Sequence, residues 1–123
     1  MKITGFNPLI LTPKADAAVE LFEALGFERR HLKTGINDEN ISNVSMKDAN
    51  GFHLDIAKVE MMPQDMTVIR MMVDDFDEAY EFLTARGFKN AQGEKVTDTG
   101  SSRATLMLSP SGYAISLAQH IKK

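Results

Sequence analysis

The sequence predicts an α+β domain made of two tandem βαβββ modules. Three observations carry that prediction: a round of strand, helix and strands up to about residue 59, a second such round from about residue 66, and a constant offset between the two. One domain spans 1–123, with module 1 at about 1–59, a linker at 60–65 and module 2 at about 66–123. A chain of that length buries most of its apolar surface without disulfides or metals.

The first element, 3–12 (ITGFNPLILT), is apolar, β-competent and closed by Pro13. The next, 14–25 (KADAAVELFEAL), sets Ala18, Leu21, Phe22 and Leu25 at helical spacing, with Asp16 near the positive end of the dipole. Gly26 follows, as suits a left-handed C-terminal cap. A strand resumes at Phe27–Lys33, and a polar loop covers Thr34–Asn40. Two further strands fall near Ile41–Lys47 and Phe52–Val59, joined by the turn Asp48-Ala49-Asn50-Gly51.

The order then returns. Met66–Val73 reads as a strand and Asp75–Arg86 as a helix opened by Asp74 and Asp75, while Gly87-Phe88 repeats Gly26-Phe27. After the polar stretch Lys89–Ser102 come strands near Arg103–Ser109 and Tyr113–His120, joined by Pro110-Ser111-Gly112. A shift of 61 positions lays Gly26 on Gly87, Phe27 on Phe88, Ala18 on Ala79, Glu20 on Glu81, Gly51 on Gly112 and Phe52 on Tyr113. Any two α/β segments share some Gly and Ala by chance. An offset held through helix, cap and hairpin marks a duplication.

Composition narrows the function. Without Cys, the chain has no disulfide, zinc–thiolate site or thiol nucleophile. A formal net charge of −3 gives no pull toward nucleic acid or an acidic membrane. No apolar run approaches the roughly 20 residues of a membrane span. The opening Met-Lys-Ile-Thr-Gly-Phe lacks a secretory apolar core, so a cytoplasmic location is expected. The basic cluster Arg29-Arg30-His31 with Lys33 has no interleaved aromatics and reads as a solvated strand edge. Gly93 and Gly100 lack the strand–helix flanks of a phosphate loop, and no nucleophile elbow occurs. Met61-Met62 and Met71-Met72 read as linker packing and core filling.

The helix endings 21–27 (LFEALGF) and 82–88 (FLTARGF), with the closing strand after Ser109-Pro110-Ser111-Gly112-Tyr113, carry a family likeness. Over nearly its whole length the chain resembles the vicinal-oxygen-chelate superfamily, the glyoxalase, bleomycin-resistance and extradiol-dioxygenase group. The resemblance implies two mixed sheets forming a cup, and a homodimer. It also implies where a metal would be held. Metal-dependent members use His, Gln or Glu on the first strand of each module and Glu on the last. Those positions fall on Asn7, Val68, Asp55 and Ser116. Val68 cannot ligate, Asn7 and Ser116 are weak neutral donors, and Asp55 alone falls short of the roughly three good ligands a catalytic site needs. No metal and no cofactor are expected.

Strand alternation assigns the faces. Pro8, Ile10, Ile69, Met71 and Val73 are expected under the helices, as are Phe52, Leu54, Ile56, Tyr113, Ile115 and Leu117. The opposite face, the inside of the cup, then receives Leu9, Leu11, Ala57, Val68, Ala114 and Ala118. It also receives the expected ligand-binding set: Asn7, His53, Asp55, Arg70, Met72 and Ser116. An Arg in an apolar strand needs a partner, because burying it unpaired is costly. For Arg70 that partner is either Asp55, as a structural ion pair, or a carboxylate or phosphate of a ligand. His53 shares a face with Asp55 and reads either as a general base or as an ordinary strand histidine. His31 and His120 show no ligand spacing.

Three functions are weighed. The leading expectation is metal-independent binding or sequestering of a small organic molecule, anionic if Arg70 contacts it. With no Trp, and most Phe at helix-facing, turn or strand-start positions, a large planar drug is disfavoured. The alternatives are a metal-dependent lyase, isomerase or dioxygenase with an atypical site, and a dimeric scaffold without ligand. Thr34–Asn40 and Lys89–Ser102 are expected to rim the cup.

Overall fold

The structure, a computed structural model, describes residues 1–33, 43–60, 63–98, 100 and 102–120. Its strands are β1 (Ile3–Thr12), β2 (Glu28–Lys33), β3 (Asn43–Lys47), β4 (His53–Lys58), β5 (Met66–Val73), β6 (Lys89–Asn90), β7 (Thr97–Asp98), β8 (Ser102–Leu108) and β9 (Ala114–His120). Its helices are α1 (Ala15–Ala24) and α2 (Phe76–Thr84). The chain divides into two compact units, Asn7–Thr67 and Met1–Phe6 with Val68–Lys123. Among the described residues no helix is long and apolar enough to cross a membrane.

Within Asn7–Thr67 the strand order is β2-β3-β4-β1. β1 and β4 run parallel with Leu9 opposite Asp55, and β3 is antiparallel to both its neighbours. Within the other unit the order is β5-β9-β8-β6, with β7 also on β8. There β5 and β9 run parallel with Arg70 opposite Ser116. The pairing itself repeats. Leu9–Asp55 becomes Arg70–Ser116 and Val44–Ile56 becomes Thr105–Leu117, every member shifted by 61. The α+β duplication expected from the sequence is present as hydrogen-bonded register.

Each helix buries an apolar stripe against its own sheet. Ala15 and Val19 of α1 meet Val44, Met46, Leu54 and Ile56, with Ile10, Ala18, Phe22 and Phe27 packed around them. Phe76, Ala79 and Leu83 of α2 meet Met71, Val73, Met107, Ile115 and Leu117, with Phe88 beside them. Met46, Ile56, Met107 and Leu117 are fully buried. Each such side chain stabilises the fold by about 1.5–3 kcal/mol relative to exposure. Gly26 and Gly87 close the helices at φ 110° and 96°, a left-handed geometry that costs glycine nothing.

Four expectations are corrected. The buried stripe of α1 runs through Ala15, Ala18, Val19 and Phe22, so Leu21 and Leu25 are exposed rather than core. Phe52 and Tyr113 do not lie under the helices: they are 65% and 56% exposed. Both stand one residue before their strands begin, in the hairpin turn, where alternation does not yet apply; Phe52 N donates to Asp48 Oδ1 at 2.9 Å. Pro8 is exposed and stays outside the cluster that Ile10 joins. The stretch Lys89–Ser102 is not simply a loop, since it contributes β6 and β7 as short partners of β8. Thr34–Asn40 and Met61-Met62 lie outside the described residues.

Candidate functional site

In each module one sheet face packs on the helix, and the alternate side chains take the other face. On the first module, Ser45, His53 and Asp55 alternate with the cluster residues Val44, Met46, Leu54 and Ile56. Asp55 is only 8% exposed and lies between Leu9 of β1 and Ser45 of β3. Asn7 Nδ2 donates to Asp55 Oδ2 at 3.1 Å and to the Pro8 carbonyl at 2.9 Å, which orients the amide. His53 is different. It is exposed at the start of β4, opposite Lys47, so burial separates the imidazole from the carboxylate two residues on.

On the second module, Arg70 alternates with Ile69 and Met71, both of which pack with α2. It is half-buried and lies opposite Ser116, whose other neighbour is Leu106 of β8. Met72 lies opposite Ala118, and Ala104 follows in the same row. Gly5 rests against Met72, and a Cβ there would stand 3.1 Å from the Met72 Cγ. Ala114 and Ala118 keep this face shallow around Arg70 and Ser116.

The structure thus brings Asn7 to Asp55, and Arg70 and Met72 to the row of Ser116, and leaves His53 apart in solvent. The sequence reading missed Ser45 and Leu106, which continue the rows of Asp55 and Ser116. The signal was available. A face assignment carried one strand further, into β3 and β8, would have found both, and they are 61 positions apart like their partners.

The same positions test the metal chemistry that the resemblance raises. Among the described residues, no three His, Cys, Asp or Glu side chains gather as a ligand group. Val68 is 3% exposed and offers no donor, and Asn7 already holds Asp55 through its amide. This donor set does not fit a catalytic transition metal.

Solved structures place the architecture. A glyoxalase/bleomycin resistance protein/dioxygenase superfamily member from Vibrio splendidus matches with a TM-score of 0.62 at 14% identity, over 96% of this chain and 99% of that one. The fold is the vicinal-oxygen-chelate fold. Methylmalonyl-CoA epimerase from Mycobacterium tuberculosis has it too, with a TM-score of 0.66 at 17% identity over 98% of this chain and 90% of that one. Glyoxalase I from Zea mays matches with a TM-score of 0.69 at 14% identity, over 98% of this chain but 44% of the maize chain. No protein-family model and no curated protein matches by sequence. At these identities the vicinal-oxygen-chelate fold is what is shared, and the fold alone assigns no chemistry.

Proposed function

We propose that this chain binds a small organic anion on its helix-free sheet faces, without a metal, and that Arg70 reads the anion. The observation that carries the proposal is the placement of Arg70: a half-buried guanidinium in an apolar strand, opposite a serine and beside alanines. A planar fork of N–H donors matches carboxylate or phosphate oxygens. Ser116 adds a hydroxyl and Met72 an adaptable apolar wall. Asn7, His53 and Asp55 are the ligand-facing polar groups proposed on the first module. A soluble cytoplasmic homodimer belongs to the same reading.

Thermal unfolding of metal-stripped protein tests it, with Ni, Co, Mn, Zn or Fe(II) added singly, then with small carboxylates and phosphates. A ligand at a hundredfold excess over its dissociation constant stabilises the folded state by about 2.7 kcal/mol, or roughly 10 °C for a domain of this size. Carboxylates or phosphates are expected to give such a shift, and Arg70→Glu to abolish it. A shift with one metal would overturn the metal-free reading and favour an enzyme. An unchanged affinity in Arg70→Glu would remove Arg70 from the site. Sedimentation of the same samples reads the oligomeric state.

A further inference from the structure

A second site of different construction lies on the helix side of the second module. A cavity of about 800 Å³ opens between α2, the 89–96 segment and β8. That volume is within the range of small-molecule sites, roughly 300–1,000 Å³. Its base is aromatic: Phe76 and Phe88 are 1% and 9% exposed, and Tyr80 and Val96 pack against the same cluster.

The polar lining carries both signs, Lys89 and Arg103 against the carboxylates of Asp77 and Glu94, with the neutral groups of Tyr80, Thr84 and Asn90 between them. Asn90 is locked by four hydrogen bonds. Its Nδ2 donates to the Lys95 carbonyl at 2.9 Å and to Tyr80 Oη at 3.3 Å, and its Oδ1 accepts from Thr105 Oγ1 at 2.7 Å and from Gln92 N at 2.9 Å. With Asn90 donating to it, the Tyr80 hydroxyl has its own hydrogen to give. Arg103 stands over Phe76, its Cζ 4.6 Å from the ring centroid. One guanidinium nitrogen reaches Asp77 Oδ1 at 3.1 Å, but Asp77 is 76% exposed and such a pair is weak. Most of the Arg103 fork remains for another acceptor.

The duplication provides a control. At the positions 61 residues earlier, Phe76, Tyr80 and Asn90 are replaced by Ala15, Val19 and Arg29. A cavity imposed by the fold would need none of these three side chains. Here α2 carries two aromatic rings, and β6 carries a fixed amide that presents one of them.

We propose that this cavity binds a small aromatic carboxylate, its ring against Tyr80 and Phe88 above the buried Phe76 and its carboxylate held by Tyr80 Oη and Arg103. Nothing in this site depends on Arg70.

An NMR titration of the full-length ¹⁵N-labelled chain with benzoate tests the proposal, with benzamide and acetate as controls that lack the charge or the ring. Saturable shifts are expected in the amides of 76–80, 88–96 and Arg103, with a dissociation constant in the millimolar range or tighter. Benzamide and acetate should bind about tenfold more weakly or worse, benzamide for want of the charge and acetate for want of the ring, as should benzoate to Tyr80→Phe and Arg103→Gln, each of which loses a charge-assisted hydrogen bond. Tyr80→Phe keeps the ring and so keeps the test valid if Arg103→Gln fails to fold. No saturable shift by roughly 10 mM would overturn the site. So would equal binding of benzamide, or shifts confined to 68–72 and 114–118, which would move the ligand to the Arg70 face.

Discussion

The two modules share a backbone plan and differ in how they fill it. Pairing is carried from β1–β4 to β5–β9 and from β3–β4 to β8–β9 by one offset. Side chains diverged on that fixed register. Where α1 places Ala15 and Val19 on its sheet, α2 places Phe76 and Tyr80. The first cluster has small and aliphatic groups at its centre and its Phe22–Phe27 pair, 5.7 Å between centroids, only partly buried beside it, whereas the second has Phe76 fully buried and paired with Tyr80 at 6.0 Å. The difference shows what the fold requires: hydrogen-bonded register is kept, while the volume under the helix is free to drift. That freedom lets one copy line the space under its helix with aromatic rings where the other carries Ala15 and Val19.

The sharpest way to break the comparison is to make the second module resemble the first. Phe76→Ala installs the residue found at the equivalent position of α1 and should cost about 3–5 kcal/mol, because the fully buried ring leaves an unfilled hole. Urea denaturation reads this directly. A loss below about 1 kcal/mol would mean that the second module collapses around alanine as the first does, and that Phe76 is not a structural keystone.

How much of this was legible depends on which signal was used. The register was legible, because alternation over β1, β4, β5 and β9 leaves one self-consistent assignment, and Ile10, Leu54, Ile56, Ile69, Met71, Val73, Ile115 and Leu117 do meet the helices. The phase of α1 was not. That helix carries Ala, Val, Leu or Phe on most of its surface, so apolar spacing fits two stripes, and Leu21 and Leu25 outbid Ala15 on hydrophobicity alone. The Asn7–Asp55 hydrogen bond was half legible: a common face was inferred, but not the rotamer that joins the pair. The helix-side cavity was invisible. Tyr80, Asn90 and Arg103 come from a helix and two strands, and the stretch Lys89–Ser102 reads as polar loop until β6 and β7 fold it back onto β8.

The helix starts give a smaller contrast. Asp75 caps α2, its carboxylate accepting from Glu78 N at 3.1 Å, and Gln119 Oε1 takes the Phe76 N–H at 2.7 Å. The equivalent residue before α1 is Lys14, which makes no side-chain cap. Asp75→Ala should therefore cost about 1 kcal/mol, and Lys14→Asp should gain about 0.5–1 kcal/mol. Thermal or urea midpoints of the two variants decide it. Equal and opposite shifts would support independent caps, whereas a destabilised Lys14→Asp would show that the Thr12 Oγ1 bond to Lys14 N already fixes the start of α1.

The smallest expected effect is electrostatic and belongs to the unit that joins Met1–Phe6 to Val68–Lys123. The Met1 ammonium lies 2.8 Å from Glu78 Oε1, and that hydrogen bond holds its pKa above the ordinary 8.0, with the charges of Glu78, Asp74 and Asp75 adding to the rise. A raised folded-state value fixes the sign. The contribution is complete below the unfolded pKa near 8.0 and fades as pH climbs through the higher folded value. Glu78 is more than half exposed, so solvent and salt weaken the pair. The urea midpoint of Glu78→Gln should therefore fall slightly below that of the parent at about pH 7 and converge on it toward about pH 10. A gap that stays constant across that range would assign the loss to the first turn of α2 rather than to the ammonium.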